Sequence, residues 1–108
     1  MTRLGAALAA LLSLLAAAPA AADAAKPSWR EEKCVRYTRD WREALSRFGR
    51  EGLGDGFVAG NDAFVRSGCA AARPICPATP KDRKLADVLA LRVVNAGMST
   101  TFLPFDCP

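Results

Sequence analysis

The chain has 108 residues, four cysteines, no histidine and a formal net charge of +4 at pH 7. Without histidine it cannot build, from its own residues, a histidine triad, a cysteine-histidine dyad or a histidine metal site, which removes most hydrolase mechanisms. So small a positive balance, with few aromatics interleaved, does not describe a nucleic-acid-binding domain.

Residues 1–22 have the three parts of a cleavable secretory signal peptide. Arg3 is the basic start, Leu4 to Ala18 contain no ionisable side chain, and Pro19 followed by Ala20, Ala21 and Ala22 supplies small residues before Asp23. A second A-x-A at Ala22 to Ala24 leaves the cut at either place. The apolar run is shorter than the ~20 residues that span a bilayer, and no cysteine follows it directly to take a lipid. The expectation is export to the periplasm of a Gram-negative cell, in keeping with an alanine- and arginine-rich composition, with no membrane attachment after cleavage. Cleavage after Ala22 removes one charged residue and leaves 86 residues with a net charge of +3, a single small domain over 23–108. A domain of that size buries a modest share of its surface, so covalent staples supplement its core.

The first predicted helix starts at a capping box, Ser28 with Glu31 three residues on. Cys34, Tyr37, Thr38, Trp41, Ala44, Leu45 and Phe48 then recur at three- and four-residue steps and form one stripe, which Gly49 ends. The opposite face carries Arg36, Arg39, Glu43, Arg47 and Arg50. It reads either as a solvated face with four-residue ion pairs between Glu43 and its arginine neighbours, or as a basic docking stripe for an acidic partner. Glu51 to Gly56, with three glycines in six residues, is a turn. Asp55 is placed to cap a second helix, whose face holds Phe57, Val58, Phe64 and Val65 and whose end is marked by Gly68. Gly60 and Asn61 interrupt its middle, Asn61 as a buried, hydrogen-bonded amide, while Asp62 points away from the apolar face.

Residues 70–79 hold two prolines, Pro74 and Pro77, and form a loop that contains Cys76. Thr79 as cap, Pro80 at the first position and Asp82 in the first turn open a third helix running to about Ala96. Leu85, Ala86, Val88, Leu89, Val93 and Ala96 share a face, but Leu91 and Val94 lie outside it. An extended apolar tail from Met98, with Phe102, Leu103 and Phe105, is expected to cover this helix. Arg92, near the centre of the apolar face, lies along it or pairs with an acid such as Asp106. Alternatively, Leu91, Arg92 and Val94 belong to a contact surface for a protein partner or a second copy.

Export makes Cys34, Cys69, Cys76 and Cys107 disulfide cysteines. Antiparallel pairing of the first two helices puts Cys34 across from Cys69, and the tail is long enough to return to Cys76, which favours Cys34 with Cys69 and Cys76 with Cys107. The rival, Cys34 with Cys107 and Cys69 with Cys76, differs by less than about 1 kcal/mol in chain entropy. A four-cysteine zinc site would need close cysteine pairs, which the spacing lacks. Asp55 and Asp62 are the remaining acid-base pair, and neither reads as catalytic. The residues therefore assign no catalytic group, metal or cofactor.

Gly56-Phe57-Val58-Ala59-Gly60-Asn61-Asp62, then Cys76-Pro77, a capped apolar helix from Pro80, and Pro104-Phe105-Asp106-Cys107 together resemble the Tai-type immunity family of type VI secretion. In this chain Phe57 stands where that family has tyrosine, and Cys69 follows the glycine element. The resemblance implies a non-enzymatic periplasmic protein that binds and neutralises an incoming toxin, as a monomer or a homodimer. The whole reading is an all-α domain of three helices, disulfide-stapled, with an extended C-terminal tail. Its work is binding a protein partner; an envelope-stress chaperone is the alternative.

Overall fold

The computed structural model describes residues 26–70 and 73–108; the predicted signal peptide lies outside them. Three helices carry the fold: α1 is Trp29–Phe48, α2 is Asp55–Arg66 and α3 is Pro80–Asn95, followed by a single 3-10 turn at Thr100–Phe102. There is no β-strand among the described residues, and the all-α expectation holds.

α1 begins as its sequence dictates. Ser28 Oγ accepts from the Glu31 N–H and the Glu31 carboxylate accepts from the Ser28 N–H, both at 3.1 Å. These two bonds satisfy backbone donors that a helix start otherwise leaves unpaired. Cys34, Tyr37, Trp41 and Ala44 are buried as one stripe, and Gly49, at φ 76°, turns the chain out of the helix.

The start of α2 differs from expectation. Its cap is Gly54, and Asp55 enters the first turn without a capping bond from its side chain. The acceptor comes from α3: Asp82 Oδ1 takes the Gly54 N–H at 2.9 Å, and its Oδ2 takes the N–H groups of Ala78 and Thr79, each at 3.1 Å. A carboxylate that is 1% exposed thus ties the start of α2 to the start of α3. Lys81 adds a second tie, its ammonium donating to the carbonyls of Phe48, at 2.6 Å, and Glu51.

Gly60 does not interrupt α2, which is continuous from Asp55 to Arg66. Its lack of a side chain admits Ile75: a Cβ at position 60 would lie 2.8 Å from Ile75 Cγ1. Ile75 is held there by the tail, with its N–H donating to Pro104 O at 2.8 Å and its carbonyl accepting from the Asp106 N–H at 3.0 Å.

The tail is not simply extended over α3. Gly97, at φ 81°, reverses the chain at once, and the buried Met98 donates its N–H to Val93 O. The 3-10 turn then places Phe102 edge-on to Tyr37 and Phe64, with both ring centroids 5.7 Å away, while Phe105 stacks on Phe57 at 5.6 Å. The tail therefore closes the aromatic core between α1 and α2, and leaves the outer face of α3 uncovered. Within that core Tyr37, Trp41, Phe57, Leu85, Leu89 and Val93 are almost wholly buried.

Cys34 pairs with Cys69 and Cys76 with Cys107, at Cα separations of 5.4 and 4.6 Å. The first bond locks the hairpin of α1 and α2; the second fixes the tail to the loop before α3. All four sulfurs are thereby used, and disulfides of this kind form and persist in an oxidising, extracytoplasmic environment.

Candidate interaction surface

The polar residues of the interior are committed to the fold. Asn61 is fully buried, accepting from the Tyr37 hydroxyl at 2.5 Å and donating to Phe57 O at 2.9 Å. Burial, reinforced by the nearby Asp40 charge, pushes the Tyr37 phenol well above its usual range, so it stays protonated as the donor. Asp62 does not point away into solvent: half-buried, it accepts from the Trp41 indole N–H at 2.8 Å. Asp55, by contrast, is exposed in the first turn of α2.

The seven residues expected to meet a partner divide into two groups. Arg36 is engaged internally: it pairs with Glu32 at 2.5 Å, donates to Ala96 O at 3.3 Å and lies over the Trp29 ring. Arg92 is also engaged, but not with Asp106. Its guanidinium spans from α3 to α1, reaching Asp40 Oδ1 at 3.3 Å and Glu43 Oε1 at 3.1 Å. The hydrogen bond and charge of Arg92 hold the Glu43 carboxyl below its ordinary value, and those of Glu43 raise Arg92 in turn. Glu43 thus pairs across the helix-helix seam, where the sequence pattern suggested neighbours on its own helix.

The second group is free to meet a partner. Arg39 is mostly exposed, with only a 3.7 Å approach to Asp40. Arg47 and Arg50 are exposed, as is Arg42, and none of the three has a carboxylate within 4.0 Å among the described residues. Leu91 and Val94, 64% and 51% exposed, stand on the outer face of α3. Val35, 67% exposed, belongs with them and was missed by the sequence reading. Like Leu91 and Val94 it falls outside its helix's apolar stripe, the signal that would have found it. Val35 shares a shallow surface depression with Thr38, Arg39 and Arg42 on the outer face of α1.

Because Arg92 engages both Asp40 and Glu43, the two carboxylates of this seam add little negative potential. What remains outside is Val35 beside Arg39 and Arg42 on α1, and Leu91 and Val94 on α3. Arg92 also tests the seam itself. An Arg92→Met variant leaves Asp40, 5% exposed, with only the distant Arg39. A loss of stability is expected in urea unfolding, smaller than for a fully buried pair because Arg92 is itself partly exposed. Adding Asp40→Asn should restore most of that loss.

Among the described residues no helix is long and apolar enough to cross a membrane. No protein-family model, curated protein or solved structure matches this chain.

Proposed function

We propose that this chain is an exported periplasmic protein, directed there by residues 1–22, that binds the acidic face of a protein partner, with neutralisation of an incoming toxin as its concrete role. The observation that supports this reading is the outer faces of α1 and α3: Val35 shares a depression with Arg39 and Arg42 on α1, and Leu91 and Val94 stand exposed on α3. An apolar anchor beside arginines, as at Val35, suits a partner with a matching acidic patch, since apolar contact holds the complex and charge steers its approach. The likeness of the glycine element around Gly56, the Cys76-Pro77 step and the C-terminal Pro104 to Cys107 segment to Tai-type immunity proteins supports the same role.

The test is growth rescue. Co-expression of the full chain with a periplasmic toxin encoded beside its gene should restore growth, and a Val35→Asp, Leu91→Asp variant should abolish rescue while changing stability by no more than about 0.5 kcal/mol per site. Rescue by the doubly substituted protein would overturn the assignment of this face. Absence of any rescue by the native chain would overturn the immunity role.

A further inference from the structure

The two disulfides are unequally exposed. Cys34 is 9% exposed and Cys69 is half-buried, so their bond sits inside the seam of α1 and α2. Cys76 and Cys107 are both exposed. A disulfide exchanges when a thiolate reaches one of its sulfurs, so access sets which bond reacts first. Both bonds have arginines along the grooves they border, Arg73 beside Cys76 and Cys69 and Arg39 and Arg42 beside Cys34, so exposure is what separates them.

Its position gives the bond leverage over the core. Beyond the disulfide, the tail is attached to the preceding loop by the two backbone hydrogen bonds of Ile75. Phe102 and Phe105 also pack on Tyr37, Phe64 and Phe57, and the 3-10 turn lies against α3. Phe57 and Phe64 are 2% and 4% exposed, so a departing tail would bare them both. No comparable consequence attaches to the inner bond, whose cysteines lie in or directly after helices that also pack through the core.

We propose that Cys76–Cys107 is a thiol–disulfide exchange site, opened by the dithiol of an extracytoplasmic oxidoreductase while Cys34–Cys69 stays closed, and that its opening releases the tail from the aromatic core. The donor thiolate attacks Cys107 Sγ, forming a mixed disulfide as the bond to Cys76 breaks, and Cys76 leaves as a thiolate. The donor's second thiol, once deprotonated, attacks its own sulfur in the mixed disulfide and displaces Cys107. The donor ends as a disulfide, two electrons having passed to this chain, and the two donor protons end on Cys76 and Cys107. This inference stands apart from the partner-binding reading.

The experiment treats the native protein with dithiothreitol, traps thiols with iodoacetamide at intervals and maps the modified cysteines by mass spectrometry. Cys76 and Cys107 should be labelled ~10-fold or more faster than Cys34 and Cys69. Equal rates, or earlier labelling of the inner pair, would overturn the site. Hydrogen exchange of the partly reduced native chain reads the second half: amides from Phe102 to Asp106 should exchange faster while those of α1 keep their protection. Unchanged exchange in the tail would overturn its release. Because both measurements follow the wild-type chain, neither depends on a cysteine variant folding.

Discussion

An Asn61→Asp variant should be largely unfolded at pH 7 and should recover relative to the native protein as the pH falls. The native amide uses each end: its oxygen accepts from Tyr37 and its nitrogen donates to Phe57 O, at a site with no solvent exposure. An aspartate keeps the first bond but sets a second acceptor oxygen against the Phe57 carbonyl, and it brings a charge into a buried position. Uncompensated buried charge costs on the order of 3–5 kcal/mol, a large share of the roughly 5–15 kcal/mol that holds a domain together. Burial raises the carboxyl's folded-state pKa, so its neutral form, which can donate to Phe57 O, is the one the fold accepts. A raised value means that the penalty is smallest below the ordinary aspartate range near 3.9 and grows as pH rises through it. The readout is the difference in urea stability between variant and native protein at pH 3.5 and pH 7. A difference that does not change with pH would contradict this account of the site.

Asp82→Ala should have the next largest effect, about 3 kcal/mol or more, because one truncation strands three donors from two helix starts. Gly54, Ala78 and Thr79 would each lose an acceptor within 3.1 Å. Burial alone would push the Asp82 carboxyl up, but its bonds from the Gly54, Thr79 and Ala78 N–H groups outweigh that and hold it below its ordinary value. A depressed value means a contribution fully present above the unfolded range near 3.9 and lost as pH falls through the folded-state value. The native protein should therefore lose stability in acid more steeply than Asp82→Asn, which cannot titrate and which sets an amide N–H₂ against one group of donors. Equal acid sensitivity of the two proteins in thermal unfolding would show that Asp82 is not the linked group.

Both residues show what a single sequence makes legible. Asn61 interrupts an apolar stripe, and a polar residue in that place announces a buried hydrogen bond, though not that Tyr37 supplies it. The starts of α1 and α3 were readable because a capping box is a contact over three residues, Ser28 to Glu31 and Thr79 to Asp82. The disulfide pairing followed from antiparallel helices of known rise per residue. What escaped depends on how the helices face one another, which periodicity within one helix does not encode. Asp82 caps α2 as well as α3; Lys81 reaches back to the end of α1; Arg92 selects Asp40 and Glu43 over Asp106. Gly60 looked like a helix breaker because the residue that needs its missing side chain, Ile75, is far along the chain. The exposure of Leu91 and Val94 was visible as two residues off the stripe, but the tail expected to cover them was already committed to Tyr37, Phe57 and Phe64.

The central claim, that the outer face of α1 and α3 meets an acidic protein, is most directly tested by site-specific photocrosslinking. A photoreactive residue at position 35 or 91 of the full chain should capture one partner in periplasmic extract, and raising the salt concentration should reduce that capture because steering between opposite charges is screened. The same probe at Ala59, on the exposed side of α2, should not capture it. Capture of the same partner from position 59 with none from 35 or 91 would contradict the claim.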